Sequence, residues 1–307
     1  MSKSIVSLAI LFLPLSVFGQ TPQQINDLLE RGLRSRENGN YSAAIGDFSK
    51  VIELTSIPAG RSKNRDVSET PEETAERNSI RVIDPRAAKA YVNRGNLYFL
   101  LGRADDALED YENAIRVAPG MSVAYACRGG IWILRREHDR AISDYRRAVK
   151  LEPKLTKAHI GLAIALLEKG ESNEAFAEFD AAVAMSPKSA EAFYRRADAK
   201  RKIGDRNGAS TDYEIALRLD PNDANAYLGR GQLRYVQYSF DDAINDLTRA
   251  IELSPHIPES FTMRAYALLM QRRDAEAEID LKRALEIMPE LQTELEASIR
   301  RIKTIRK

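Results

Sequence analysis

The chain has 307 residues and a formal net charge of +1; 30% of its residues are charged and 44% are hydrophobic. These values are typical of a soluble protein, and the balanced charge argues against general binding to nucleic acid or to acidic lipid. One cysteine and three scattered histidines exclude an internal disulfide and offer no recognisable metal-ligand spacing.

The first segment, residues 1–19, has the features of an export signal. Lys3 precedes an apolar run from Ile5 to Val17, and small or tolerated residues come before Gln20. The alternative is a membrane anchor, but the run is shorter than the roughly 20 residues that cross a bilayer. No cysteine stands directly after the run, which argues against a bacterial lipoprotein. We therefore expect cleavage of residues 1–19 and export to the periplasm or the extracellular space, with a bacterial envelope as the favoured setting.

After a leader of residues 20–24, one pattern recurs along the chain with a period of 34 residues. In the copy from Ala88 to Met121, glycine stands at position 8, alanine at position 20 and proline at position 32. Position 8 is small and position 20 is alanine in every copy, as two closely crossing helices require. The seven copies cover residues 25–87, 88–121, 122–155, 156–189, 190–223, 224–257 and 258–291.

The first copy is interrupted by an insertion at residues 55–83. The first part of the insertion has no aromatic residue and mixes charges with proline, glycine and serine, which predicts a loop. Further on, Thr70 can act as an N-cap, Pro71 can occupy the first helical position and Glu73 can complete a capping box. This order predicts a short helix that runs from about Pro71 towards Ile83.

Charged residues also follow the period. Arginine occupies position 7 in six copies, and position 23 is acidic in all seven. Opposite charges at a fixed offset predict structural ion pairs within or between neighbouring copies rather than a ligand site. The fourth copy has Leu162 at position 7, so Glu178 at position 23 needs a different partner.

The last segment, residues 292–307, follows the seventh copy. Leu295, Ile299 and Ile302 have helical spacing, which predicts a final helix that covers the open face of the last copy. The basic residues of this segment are interpreted as a solvated face at a helix C-terminus.

The recurring unit, with Gly95, Ala107, Tyr111 and Pro119 in its second copy, resembles the tetratricopeptide repeat. The resemblance implies an all-α fold, a right-handed superhelical solenoid of antiparallel helix pairs with a C-terminal capping helix. One such unit cannot bury its own apolar face, so neighbouring units must stack.

In the tetratricopeptide family, positions 2, 5, 9 and 12 of each repeat line a concave groove that binds peptides. The resemblance therefore implies a partner groove with apolar, aromatic and polar side chains. Its candidate residues are Val92, Asn96, Phe99, Ile133, Ile160, Ile164, Leu167, Tyr194, Arg201, Tyr235 and Tyr266. The alternative is that these side chains fill the interior or lie under the insertion. The family's carboxylate clamp is not matched, because Val123 and Cys127 stand where it needs basic residues.

Sequence motifs for catalysis are missing, since the chain has no phosphate-binding loop, no dinucleotide-binding fingerprint and no nucleophile elbow. We therefore predict no enzymatic activity and no cofactor. The favoured function is a protein–protein interaction scaffold that binds a partner protein or peptide in its groove. The alternative is a structural protein that self-associates, or one that stays attached to the membrane if residues 1–19 are not removed.

Overall fold

A computed structural model describes residues 22–55 and 84–305 of the chain. These residues form fifteen α-helices and one short 3-10 turn, with no β-strand among them. None of these helices is both long and apolar enough to span a bilayer. The predicted export signal and nearly all of the insertion, including its predicted short helix, lie outside the described residues.

The helices belong to two compact units, of which one ends at Pro153 and the other begins at Lys154. The helices of the first unit are α1 (Pro22–Glu37), α2 (Tyr41–Thr55), α3 (Pro85–Leu100), α4 (Ala104–Val117), α5 (Ser122–Leu134) and α6 (His138–Leu151). Those of the second unit are α7 (Thr156–Lys169), α8 (Ser172–Met185), α9 (Ala190–Lys202), α10 (Arg206–Leu219), α11 (Ala224–Val236), α12 (Phe240–Leu253), α13 (Pro258–Met270), α14 (Asp274–Ile287) and α15 (Gln292–Ile305). The 3-10 turn Pro289–Leu291 precedes α15.

Each repeat is a pair of consecutive helices held close together by small residues. Ala107 is fully buried between α3 and α4, and Gly95 lies against the ring of Tyr111. A Cβ atom on Gly95 would come within 2.8 Å of Tyr111 Cε1. The small residue at position 8 and the aromatic ring at position 24 therefore share one space, which explains why they recur together.

The turn inside each repeat needs a residue in the left-handed conformation. Gly102 and Gly170 meet this need with φ angles of 75° and 89°, as expected for a glycine that ends a helix. Three copies lack the glycine, and Arg136, Tyr238 and Arg272 adopt the same conformation with φ angles of 58°, 61° and 60°. The turn between the two helices of a repeat thus imposes a backbone conformation that costs about 1–2 kcal/mol for a residue with a side chain.

The predicted capping helix is confirmed as α15. Leu295 and Ile302 are buried, and Ile302 packs into a cluster with Leu268 and Leu269 of α13. The basic residues Arg300, Arg301 and Lys303 are exposed, in agreement with a solvated face.

Candidate functional site

The periodic charges form a series of two-point ion pairs inside the repeats. In the second repeat, Arg94 Nε donates to Asp110 Oδ2 at 2.9 Å, and Arg94 Nη2 donates to Asp110 Oδ1 at 2.7 Å. The six pairs are Arg31–Asp47, Arg94–Asp110, Arg128–Asp144, Arg196–Asp212, Arg230–Asp246 and Arg264–Asp280. The prediction of structural ion pairs is therefore confirmed, and the partners belong to the same repeat.

Some of the arginines also connect one repeat to the preceding one. Arg94 Nη1 donates to Ser49 Oγ at 2.9 Å, and Arg196 Nη1 donates to Asp180 Oδ1 at 2.7 Å. Burial works against the charge of Arg94, but the hydrogen bond and the charge of Asp110 leave the pKa of Arg94 raised. These arginines thus remain charged and hold the stack together.

The fourth repeat replaces the arginine pair with a different contact. Leu162 is buried. The distance from Glu178 Oε2 to His159 Nδ1 is 2.5 Å, so that His159 is the partner of Glu178. Sequence reasoning missed this partner. The available signal was His159 itself, which stands at position 4, where most other repeats have an aromatic residue.

The predicted groove residues of the first unit have different environments. Val92 is buried among Ala88, Ala114 and Ala124, which favours the packing alternative at this position. The Oδ1 atom of Asn96 accepts a hydrogen bond from the Tyr111 hydroxyl at 2.8 Å. Ile133 is half-buried, whereas Phe99 is 42% exposed.

In the second unit, Ile160 and Tyr194 are also buried, and Tyr194 at the same time lines a pocket. Ile164 and Leu167 pack half-buried against the cluster that contains Ile160. Tyr235 is half-buried beside the Phe240 ring, with 5.7 Å between the ring centroids. Tyr266 is half-buried at the cluster that receives α15.

One stretch of the predicted stripe encloses a pocket. A cavity of about 230 Å³ lies between α9 and α11, the first helices of the fifth and sixth repeats. Its lining residues are Tyr194, Arg195, Asp198, Arg201, Asn225, Leu228, Gly229 and Gln232. The structure therefore brings together two of the predicted groove residues, Tyr194 and Arg201, and adds Arg195, which lies one position off the stripe.

A hydrogen-bond network fixes one wall of the pocket. The Tyr213 hydroxyl donates to Asp198 Oδ1, and Arg201 Nε donates to the same hydroxyl at 3.3 Å. Burial, followed by the charge of Asp198, raises the pKa of Tyr213 and keeps its hydroxyl protonated. Gly229 makes room for the network, because a Cβ atom there would lie 2.5 Å from the Tyr213 hydroxyl oxygen.

Arg195 has a different environment. Its guanidinium carbon lies 4.8 Å from the centroid of the Tyr194 ring, a cation–π contact that orients the side chain. Arg195 Nε is buried and has no hydrogen-bond acceptor in the part of the chain that the structure describes. Burial raises the pKa of Tyr194 to about 12, so the ring beneath Arg195 stays neutral at physiological pH.

The pocket offers groups that can bind a ligand. Its guanidinium and amide groups can form hydrogen bonds, and the side chain of Leu228 can make apolar contacts. Because the pocket is partly shielded from solvent, hydrogen bonds in it are stronger than in water. Within residues 22–55 and 84–305, no group of three or more His, Cys, Asp or Glu residues could hold a metal ion.

Comparison with protein families matches the recurring unit directly. A tetratricopeptide repeat model matches residues 88–121, and a second tetratricopeptide repeat model matches residues 135–190, 194–255 and 236–290. The chain belongs to the tetratricopeptide repeat family. A comparison with curated proteins finds no significant sequence match.

Solved structures of tetratricopeptide repeat proteins share the fold. A tetratricopeptide repeat protein from Parabacteroides merdae has 18% identity and a TM-score of 0.64, covering 90% of this chain and 99% of its own. The APC/C hetero-tetramer Cut9–Hcn1 has 19% identity and a TM-score of 0.64, covering 83% of this chain and 52% of its own. Yeast Tom70 has 18% identity and a TM-score of 0.59, covering 93% of this chain and 65% of its own.

At these identities the similarity establishes the fold alone. The tetratricopeptide repeat fold is a protein-interaction scaffold, and its domains bind protein or peptide partners. Proteins of this family are generally non-catalytic, while the partner of an individual member is decided by its own surface.

Proposed function

We propose that this tetratricopeptide repeat protein is a non-enzymatic scaffold that binds a segment of a partner protein across α9 and α11. The observation that carries the proposal is the pocket of about 230 Å³ between these two helices. Six of its eight lining residues occupy positions 2, 5, 9 or 12 of their repeats, which by resemblance to the family face the peptide groove; Arg195 and Gly229 do not.

The size of the pocket favours a peptide over a free small molecule. Sites that enclose a whole small ligand have volumes of about 300–1,000 Å³, whereas about 230 Å³ accommodates one or two side chains. Asn225 on α11 is exposed, and Gln232 lies half-buried about two helical turns further along the same helix. Their amide groups can pair with the main chain of an extended segment that places one side chain in the pocket.

The absence of catalytic activity is part of the proposal and rests on how the carboxylates are used. Asp110, Asp212 and Asp246 are almost completely buried and are paired with arginine in their own repeats. Carboxylates held in this way stabilise the helix pairs and lack the free position that acid–base catalysis requires.

We also propose that the protein acts in the cell envelope. The support is the sequence of residues 1–19, with its short apolar run and small residues before Gln20. Mass spectrometry of the protein purified from its own host tests this part. A mature chain that starts at Gln20 is the expected result, and an intact Met1 in the cytoplasmic fraction would contradict export.

Site-specific photocrosslinking in the native host tests the binding function. The photoreactive residue replaces Asn225, which is exposed at the pocket, and the matched control places it at Arg147, an exposed residue on α6. We expect crosslinks to a partner protein from position 225 and none of the same mass from position 147. Equal crosslinking from both positions would refute a pocket-directed scaffold, and crosslinks to a second copy of the chain alone would favour the self-association alternative.

A further inference from the structure

We propose that two copies of this chain associate through an apolar patch at the turns of the second and third repeats. This leucine patch consists of Leu100, Leu101 and Leu134, whose side chains belong to residues that are 61%, 48% and 63% exposed. Its members stand at positions 13 and 14 of their repeats, outside the predicted groove, and they do not line the pocket between α9 and α11. The inference therefore concerns a second surface and does not rest on the proposed scaffold function.

The leucine patch is continuous, because residues at equivalent positions of neighbouring repeats lie side by side. Leu100 is the last residue of α3 and Leu134 is the last residue of α5, and both occupy position 13. In the second unit, position 13 of the fourth and fifth repeats is Glu168 and Lys202, whose charged atoms are 3.1 Å apart. Position 13 of one repeat is thus within side-chain reach of position 13 of the next, so that Leu100 and Leu134 are neighbours.

The same comparison shows what is unusual about the leucine patch. The fourth and fifth repeats carry an ion pair at this exposed place, which suits a surface in contact with water. The second and third repeats carry leucines there, and Leu101 extends the apolar surface by one more residue. Contiguous exposed apolar side chains of this kind mark interaction sites. A partner that covers them removes apolar surface from water, which favours association.

The charges around the leucine patch favour a second copy as the partner. Residues 99–106 and 133–140, which contain the leucines and both turns, include four arginines and four acidic residues. The ion pairs that flank the leucines are Arg103–Asp106, Arg135–Asp105 and Arg140–Glu137. A surface without net charge does not attract an anionic bilayer or a nucleic acid. Two copies of this surface, in contrast, meet without like-charge repulsion.

The distribution of the leucines fits a two-fold axis, which places the same patch of both copies in contact. The second repeat contributes Leu100 and Leu101, and the third contributes Leu134. An axis between these repeats places Leu134 of each copy against the two leucines of the other. The result is an apolar centre with a rim of paired charges, as in other protein interfaces. Because three leucines per copy form a small contact, we expect a dissociation constant of about 10–100 µM.

Sedimentation equilibrium of the purified protein, from about 1 to about 500 µM, brackets this affinity. The proteins compared are the unaltered chain, the double variant Leu100→Ser/Leu134→Ser, and Ile203→Ser. Ile203 is the matched control, because it is a 53% exposed apolar residue at position 14 of the fifth repeat, outside the leucine patch. We expect the unaltered chain and Ile203→Ser to dimerise equally, and the double variant to dimerise at least about 10-fold more weakly. Added sodium chloride should leave the dimer intact, because salt screens charges and not apolar contacts.

Opposite charges test the two-fold arrangement. Leu134→Glu and Leu100→Lys should each weaken self-association, because two unpaired charges then face leucines in every dimer. An equimolar mixture of the two variants should form a heterodimer at least about 5-fold more tightly than either variant forms a homodimer. In the heterodimer the new acidic group at position 134 of one chain faces the new amine at position 100 of the other, and the second contact keeps its leucines.

The possible outcomes decide the inference. A protein that stays monomeric up to about 500 µM, a dimer that the double variant leaves unchanged, or a mixture that associates no better than its components overturns it. Monomeric protein that binds vesicles of phosphatidylcholine and phosphatidylglycerol through these leucines would assign the leucine patch to a membrane and overturn it as well. Circular dichroism verifies that each variant is folded, and if the double variant is not, the mixture of the charged variants decides. The function of the pocket between α9 and α11 is tested separately, by crosslinking from Asn225.

Discussion

Arg230 and Asp246 form a two-point ion pair between α11 and α12, with Nε to Oδ2 at 2.9 Å and Nη2 to Oδ1 at 2.8 Å. Asp246 is almost completely buried and accepts a further hydrogen bond from Arg234 Nη1 at 2.7 Å. One carboxylate thus holds two cations of the neighbouring helix. The pair illustrates how the repeat uses charge to join its own two helices.

A double-mutant cycle on Arg230→Ala and Asp246→Ala should give a coupling free energy of about 1–3 kcal/mol in urea unfolding. Asp246→Ala should be the more harmful single change, because it leaves two arginines without their acceptor. The control is the exposed ion pair Arg249–Glu252 on α12, whose charged atoms are 3.0 Å apart. For this pair we expect a coupling free energy of less than about 0.5 kcal/mol. Equal coupling for the two pairs would contradict a structural role for the periodic charges.

The left-handed turn predicts a stabilising substitution. Arg136 has a φ angle of 58° and is exposed, so Arg136→Gly should relieve backbone strain without the loss of a buried contact. We expect a gain of about 0.5–1 kcal/mol in the free energy of unfolding, after the entropy that glycine adds to the unfolded chain. Gly102→Ala, at φ 75°, is the reciprocal change and should destabilise; a loss of stability with Arg136→Gly would contradict backbone strain at position 136.

Two glycines in the first helices of neighbouring repeats predict opposite effects. Gly95→Ala should destabilise by about 1–3 kcal/mol, because the new Cβ would lie 2.8 Å from Cε1 of the buried Tyr111. Gly130→Ala should stabilise by up to about 1 kcal/mol, because the nearest atom, the Tyr145 hydroxyl oxygen, would be 3.6 Å away. Thermal unfolding followed by circular dichroism measures both, and equal effects would refute the close packing at position 8.

Tyr194 predicts a loss of stability in alkali. Burial raises the pKa of Tyr194 from 10.0 to about 12, so the folded state binds its proton more tightly than the unfolded state does. The resulting stability is complete below pH 10 and is lost as the pH rises towards 12. The free energy of unfolding of Tyr194→Phe should therefore decline less steeply between pH 10 and 12 than that of the unaltered chain. Denaturant unfolding at a series of pH values measures both. Identical pH dependence in the two proteins would contradict a buried, neutral phenol beneath Arg195.

The sequence alone was sufficient for the helix pairs, the capping helix and the ion pairs. Each depends on a pattern that recurs at a fixed offset, such as Gly95 with Tyr111 or Arg230 with Asp246, and the period fixes which side chains of one helix face its neighbour. The same reasoning proposed one groove from a stripe of positions, but it could not rank the members of that stripe.

The tertiary structure decided which of those side chains remain accessible and what surrounds them. Val92, Ile160 and Tyr194 are buried because neighbouring helices within their units close over them, and their burial depends on helix spacing that no single repeat encodes. Arg195 lies one residue, about 100° of helix rotation, from the stripe, and yet it lines the pocket between α9 and α11, where its guanidinium lies over the Tyr194 ring. Periodicity determines the fold, whereas the shape of the pocket depends on how adjacent helices pack side by side.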